Sequence, residues 1–148
     1  MPRLTPNLYR TTPFLLLSWL ILASLSQATS SAEALPRNEQ AIADVEAGRV
    51  ETARASWWGF NAEDATKALQ AALDSRAKRV VVDRMEGPWI VTTIRLPSDK
   101  ELVFERGVVV EAKRGAFLGK SDSLFVAGGC KNLVLRGEGA TFRMHKAD

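Results

Sequence analysis

The clearest helical pattern in the chain lies between residues 61 and 75. Small and apolar residues recur there at intervals of three and four, which places them on one face of an α-helix: Ala65, Ala68, Leu69, Ala72 and Leu73. Asn61 suits the N-cap position, and Glu63 and Asp64 would meet the positive end of the helix in its first turn. The pattern predicts one amphipathic helix that buries a single face.

After residue 75 the pattern changes to short segments typical of β-strands. Residues 80–82 form a continuous valine run, which is characteristic of parallel sheets covered on both faces. Later segments alternate apolar and polar residues. The predicted strands lie in the sequences VVV, WIVTTIRL, ELVFE, VVVEAK, LFV, NLVLR and ATFRMH. Tight Asn-Gly or Asp-Gly hairpin turns do not separate them, so gentle corners are expected instead.

Two of these segments form a repeat. KELVFERGVVVE and KNLVLRGEGATFR share the order of a lysine, an apolar triplet, a charged residue, a glycine and a second strand. This alignment makes Leu102 equivalent to Leu133, about 31 residues later, and Gly107 equivalent to Gly137. A period of a few tens of residues with glycine at the corners predicts stacked parallel strands, a solenoid. The helix would then lie across the open edge of the first rung.

Three aromatic residues lie directly before the helix, in the sequence Trp57-Trp58-Gly59-Phe60. Either they pack beneath the helix or they form a surface on which sugar rings stack. We favour packing, because this much apolar area is costly to leave in water.

The first 32 residues have the pattern of an export signal. Arg3 and Arg10 give a positive start, an apolar stretch follows at residues 13–25, and small residues come next. The apolar stretch is shorter than the roughly 20 residues that span a bilayer. We therefore expect cleavage rather than a stable membrane span, and a secreted or periplasmic protein.

The segment between the signal and the aromatic residues is expected to be a leader arm, residues 33–56. Residues 38–55 could form a short helix with Ile42 and Val45 on one side. Their apolar content is thin, so we expect a weakly ordered segment. Residues 57–148 would then form the folded part of the chain.

Charge gives no indication of a nucleic-acid partner. The chain has 20 basic and 17 acidic residues, and signal removal would take away Arg3 and Arg10, leaving it nearly neutral. The basic residues are scattered among acidic ones without a block of like charge. Cys130 is the only cysteine, so an internal disulfide is excluded, and we expect it to be a small buried apolar residue.

The order of these segments resembles the N-terminal part of right-handed parallel β-helix proteins of the pectate lyase superfamily, in the branch of rhamnogalacturonase and epimerase-like domains. The segments that carry the resemblance run from about Trp57 to the end: GFNAEDATKALQAALDS, VVV, WIVTTIRL, ELVFERGVVVEAK and NLVLRGEGATF. WWGFNAED stands where members often have Asp-Phe-Gly-Ala and Gly-Asp-Gly stretches. This departure concerns the subfamily more than the fold.

The resemblance implies a mostly β fold, the start of a right-handed parallel β-helix (solenoid) with an N-terminal capping α-helix over residues 57–148. It also implies a carbohydrate-active protein, a lyase or glycoside hydrolase for uronic-acid-containing polysaccharide, with Ca²⁺ a candidate cofactor of the full-length protein. Family catalytic residues usually lie on middle coils, which would follow Asp148. We therefore assign no catalytic, cofactor or metal residue, and expect the front of a longer protein that is inactive alone. The alternative is a non-catalytic surface β-helix for adhesion or sugar binding.

Several polar residues could carry chemistry, but each has a simpler interpretation. His145, the only histidine, is expected to point outward and cannot form a metal site alone. Four carboxylates could serve acid–base chemistry or Ca²⁺, although their spacing brings no two together: Glu105, Glu111, Asp122 and Asp148. Five basic residues could line a groove for an anionic sugar chain, although solvated outer faces are favoured: Arg106, Lys113, Arg136, Arg143 and Lys146. Gly137-Glu138-Gly139 is expected to be a corner, since no helix follows it.

Overall fold

A computed structural model describes residues 34–145, so the predicted signal peptide lies outside the described residues. The helices are α1 (Glu39–Glu46), a 3₁₀ helix (Ala55–Trp58) and α2 (Thr66–Asp74). The strands are β1 (Thr52–Arg54), β2 (Arg79–Val82), β3 (Trp89–Val91), β4 (Ile94–Arg95), β5 (Lys100–Phe104), β6 (Val109–Ala112), β7 (Phe125–Val126), β8 (Leu133–Gly137) and β9 (Thr141–Arg143). Within this part of the chain, no helix has the length and apolar character needed to cross a membrane.

The strands form three small sheets in which all neighbouring strands are parallel. One sheet has the order β1-β2-β5-β8, the second β3-β6-β9, and the third pairs β4 with β7. Consecutive strands β2, β3 and β4 thus belong to three different sheets, and β5, β6 and β7 return to the same sheets in the same order. The fold is mixed α/β with short parallel strands, so the prediction of parallel pairing rather than hairpins is confirmed.

Apolar side chains that alternate along the strands form columns inside the molecule. Val80 lies beside Leu102 in one sheet, and Trp89 lies beside Val110 in the next. All four are completely buried. Side chains from both α-helices, the strands and the corners complete the core. Its further buried members include Ile42, Val45, Ala53, Leu69, Leu73, Val82, Val91, Ile94, Phe104, Val108 and Ala112.

The register of the repeat differs from the one that we aligned by sequence. β5 and β8 pair Leu102 with Leu135, two residues beyond the predicted Leu133. The corner before each strand explains the shift, because Asp99 and Asn132 both adopt a left-handed conformation, with φ of 56° and 52°. The two corners stack through a hydrogen bond of 2.7 Å from the Asn132 side-chain amide to Asp99 Oδ1.

The following corner shows the same shift. Gly107 donates its amide to the carbonyl oxygen of Gly139 at 3.1 Å, so Gly139 and not Gly137 is its equivalent. Both residues have positive φ, 79° and 78°, a conformation that glycine adopts without strain. The left-handed corner residues therefore set the register, and the apolar triplets accommodate it.

Residues before Trp57 are part of the fold, which corrects our expectation of a weakly ordered arm. The side chain of Asn38 caps α1 by accepting a hydrogen bond of 3.0 Å from the amide of Ala41. Ile42 and Val45 on its inner face are 8% and 0% exposed. β1 then pairs with β2 and becomes the first strand of the four-stranded sheet. The few apolar residues of this segment suffice because Ile42, Val45 and Ala53 are buried and Val50 packs against the same core.

α2 begins at Thr66, five residues after the predicted N-cap. Asn61 and Asp64 accept hydrogen bonds from amides only two residues onward, at Glu63 (2.8 Å) and Thr66 (3.0 Å), and so form local turns before the helix. The predicted apolar face is confirmed: the buried residues are Ala65, Leu69, Ala72 and Leu73, and Ala68 is partly buried.

The aromatic residues before α2 are packed inside, as we favoured. Trp58 and Phe60 are 7% and 6% exposed. The Phe60 ring meets Trp89 edge to face, with centroids 5.1 Å apart. Trp57 is partly buried against the same core. These rings therefore join α2 to the first strand of the three-stranded sheet and do not form a sugar-stacking surface.

α2 covers the free edges of β3 and β4, the first strands of their sheets. At its start, the amide of Ala65 donates to the carbonyl oxygen of Ile90 at 2.7 Å. The amide of Thr92 in turn donates to Thr66 Oγ1 at 2.9 Å. Backbone groups at a sheet edge otherwise lack a protein partner, and these contacts supply one.

Gln70 performs the same task for β4. Its Oε1 accepts from the amide of Arg95 at 2.9 Å, and its Nε2 donates to the carbonyl oxygen of the same residue at 3.0 Å. The side-chain amide thus takes the place of a peptide group in a neighbouring strand.

Replacing Gln70 with Leu, a residue of similar size, should lower the free energy of unfolding by about 1 kcal/mol, because both hydrogen bonds to Arg95 are lost. Urea unfolding monitored by tryptophan fluorescence measures the change. Lys67→Ala, an exposed position on the same helix, should change stability by less than about 0.5 kcal/mol. A Gln70→Leu protein as stable as this control would show that β4 needs no partner from α2.

Candidate functional site

The structure brings polar side chains together in three clusters, each joining residues of neighbouring strands. The first lies where β1, β2 and β5 end. Arg54 contacts two carboxylates, Asp83 and Glu105, the latter at 3.0 Å. Asp83 is 5% exposed and also accepts the amide of Ser56 at 2.9 Å. The hydrogen bond to Asp83 raises the pKa of Arg54 further, so this guanidinium remains charged and offsets one of the two negative charges.

The second cluster lies on the outer face of the four-stranded sheet around Glu101. Arg79 donates to one of its oxygens at 2.7 Å and Arg136 to the other at 2.6 Å. These two bonds, that of Arg79 first, lower the pKa of Glu101. A shallow depression of about 440 Å³ surrounds them, with Lys78 and Asp99 also in its wall. Four basic and two acidic residues line it, so the formal charge of the lining is positive. Each of the four basic groups already has a partner: Glu101 holds Arg79 and Arg136, Glu51 holds Lys78, and Lys100 donates to backbone carbonyl oxygens.

The third cluster lies on the outer face of the three-stranded sheet around Glu111. Arg143 donates to its Oε2 at 2.7 Å, and Nε2 of His145 lies 3.0 Å from its Oε1. The side chains of His145 and Glu111 are only 13% and 15% exposed. His145 is thus on the outer face, as predicted, but mostly covered. A carboxylate that holds one imidazole nitrogen fixes the orientation of the ring, as in general bases, and this is the described contact with most catalytic potential.

A further ion pair joins the entry of α2 to the second sheet. Lys113, directly after β6, donates to Asp64 Oδ2 at 2.6 Å. Burial alone would raise the pKa of Asp64, but the hydrogen bonds from Lys113 and Thr66 outweigh it and lower the pKa to about 2.

The basic residues that we predicted for a groove are not assembled into one. Lys113, Arg136 and Arg143 each pair with an acidic neighbour. Arg136 belongs to the four-stranded sheet and Arg143 to the three-stranded one, so they face different directions. Arg106 is exposed at a corner, and Lys146 lies outside the described residues.

The predicted carboxylates are placed separately as well. Glu105 lies beside Asp83 through Arg54, a pairing that spacing did not predict. Asp122 accepts the amide of Gly119 at 2.7 Å within a local turn, and Asp148 lies outside the described residues. Between residues 34 and 145, no group of three His, Cys, Asp or Glu side chains is arranged to hold a metal ion.

Besides Asp83, sequence reasoning missed a second buried charge, Lys100. It is 7% exposed, and its Nζ donates to the carbonyl oxygens of Ser75 at 2.7 Å and Ala77 at 2.5 Å, just after α2. Burial lowers the pKa of Lys100. The signal was present in KELVF, because the alternation that buries Leu102 and Phe104 also turns Lys100 inward. Its role is to supply hydrogen-bond donors to the buried carbonyl groups that directly follow α2.

Cys130 differs somewhat from our expectation of a small buried residue. It is partly exposed, and its thiol donates to the carbonyl oxygen of Leu96 at 2.7 Å. The contact joins two successive corners of the chain. A structural role accounts for it.

Comparison with known proteins found no match among family models, curated proteins or solved structures. The interpretation of these clusters therefore depends on their geometry.

The ion pair of Asp64 gives a pH-dependent prediction. A carboxylate with a folded-state pKa near 2, below its ordinary 3.8, stabilises the fold above pH 3.8, and this contribution is lost as the pH falls towards 2. Both side chains of the pair are more than a third exposed, so solvent screening limits its worth to about 1 kcal/mol. Asp64→Asn should lose this amount at pH 7, measured by urea unfolding, and the difference from the parent should close near pH 2.

The control for Asp64 is Glu63→Gln, a neighbouring exposed carboxylate, which should leave stability within about 0.5 kcal/mol at either pH. An equal loss for Asp64→Asn at pH 7 and pH 2 would contradict the ion-pair explanation.

Proposed function

We propose that this chain forms the capped N-terminal end of a right-handed parallel β-helix. One observation carries this proposal: β5, β6 and β7 pair in parallel with β2, β3 and β4 in the same order. Each turn of the chain would then contribute one strand to each sheet, with β8 and β9 beginning the third turn. Crossover connections between parallel strands are right-handed in almost all proteins, which supports the handedness.

The proposed function is that of an exported carbohydrate-active protein, a lyase or glycoside hydrolase for uronic-acid-containing polysaccharide. The export pattern of residues 1–32 and the resemblance of the segments from about Trp57 onward support it. In this proposal the described coils are scaffold, and the catalytic groups belong to further coils stacked beyond β8 and β9. The carboxylates of the three clusters agree with a scaffold role, because arginine holds each of them: Asp83, Glu101, Glu105 and Glu111.

A second candidate is a non-catalytic surface β-helix that binds sugar or serves adhesion. The same ion pairing favours it, since a carboxylate already held by arginine is a poor general base. This candidate needs no catalytic groups in any coil. The two candidates therefore differ in whether bound polysaccharide is cleaved.

The test is an assay of the exported protein on polygalacturonate and rhamnogalacturonan, with and without Ca²⁺. We expect new unsaturated or reducing ends, detected by ultraviolet absorbance and a reducing-sugar assay, and none from dextran, which lacks uronic acid. The 148-residue chain alone should release no product, because arginine holds the carboxylates of its three clusters.

Binding of the polysaccharide without cleavage would favour the second candidate. Neither binding nor cleavage by the exported protein would contradict both candidates. Product released by the 148-residue chain alone would contradict the scaffold role of the described coils.

A further inference from the structure

The outermost strands of two sheets leave an apolar surface exposed. Among residues 34–145, β8 and β9 are the last strands of their sheets. Leu135 continues the column of Leu102, and Phe142 continues that of Val110. Leu102 and Val110 are fully buried, whereas Leu135 is 46% and Phe142 49% exposed. We call the surface formed by Leu135, Phe142 and the exposed Met144 the terminal face.

The terminal face continues the core and differs from scattered surface apolar residues. The Phe142 ring lies edge to face against Phe104 and Phe125, with centroids 4.9 Å and 5.4 Å apart. Phe104 is buried, so one aromatic cluster extends from the interior to the exposed end. A surface of this kind marks a contact site.

Charges on the outer face of the four-stranded sheet alternate in sign across β2, β5 and β8, and one pair of opposite charges lies on the three-stranded sheet. In the four-stranded sheet, Glu101 on β5 lies between Arg79 on β2 and Arg136 on β8. In the three-stranded sheet, Glu111 on β6 pairs with Arg143 on β9. Both rows therefore end on an arginine at the exposed edge. A strand that continues the alternation would place a carboxylate beside each arginine.

We propose that the terminal face is covered by one further parallel coil of the exported protein, whose strand beside β8 alternates apolar with acidic side chains. Its apolar residue would contact Leu135 and its carboxylate would pair with Arg136. β5 is the template, because it pairs in parallel with the opposite edge of β8 and places Leu102 beside Leu135 and Glu101 on Arg136. This inference depends on the proposed β-helix and adds the chemistry of its next coil.

The test supplies such a strand as a separate peptide. The probe is fluorescein-labelled Lys-Glu-Leu-Val-Phe-Glu-Arg-Gly, the sequence of residues 100–107, added to the 148-residue chain and followed by fluorescence anisotropy. We expect saturable binding that weakens about threefold or more when the first glutamate of the peptide is replaced by lysine. The Arg136→Glu chain should reverse this preference and bind the lysine peptide better. Leu135→Lys should weaken both peptides about tenfold.

Leu135 and Arg136 are exposed, so these variants should keep the parent circular dichroism spectrum, which is recorded first. Should Arg136→Glu nevertheless unfold, the parent chain with the two peptides still tests the charge preference, and Leu135→Lys still tests the place of binding.

No saturable binding, or equal binding of both peptides by parent and Arg136→Glu chains, would overturn the inference. Sedimentation velocity distinguishes a second copy as the occupant: a dimer of the parent that Leu135→Lys converts to a monomer would also overturn it. These outcomes concern the terminal face alone, since polysaccharide cleavage by the exported protein is measured independently.

Discussion

The structure depends on one constraint, that the backbone groups along both edges of every parallel strand need partners. Interior strands such as β5 and β6 obtain them from strands on both sides. The first strands of the second and third sheets obtain them from α2, whose first turn bonds β3 and whose Gln70 bonds Arg95 of β4. In the four-stranded sheet, β1 supplies the partner of β2. Two elements therefore cap the first strands of the sheets: α2 covers the edges of β3 and β4, and β1 covers the edge of β2.

The sequence predicted those elements whose signal is local. The apolar face of α2 was predicted because Leu69 and Leu73 follow helical spacing and nothing else competes for that face. The parallel arrangement of strands was predicted from apolar runs without tight turns. The predicted start of α2 was wrong because the side chains of Asn61 and Asp64 stabilise local turns before the helix. In sequence, such residues look the same as helix N-caps. The predicted register of β5 and β8 was wrong because the left-handed backbone conformation of Asp99 and Asn132 sets it. The pattern of apolar residues does not reveal that conformation.

The polar clusters could not be predicted in the same way, since each joins residues 22 to 51 positions apart. Arg54 and Glu105 meet only because β1, β2 and β5 are in one sheet, and a register shift of two residues would separate Glu101 from Arg136. The covered state of His145 likewise depends on the pairing of β6 with β9, which places it beside Glu111. Lys100 is different, because strict alternation along its strand turns it inward, and applying that rule to a charged residue would have found it.

The direction and register of β2 and β5 test the account most directly, since the cap, the core columns and the charge rows all follow from them. Nuclear Overhauser contacts between backbone protons of the two strands measure both. The account predicts contacts at both ends in the same order, between Arg79 and Glu101 and between Val82 and Phe104. Contacts of Arg79 with Phe104 and of Val82 with Glu101 would show antiparallel strands and contradict it.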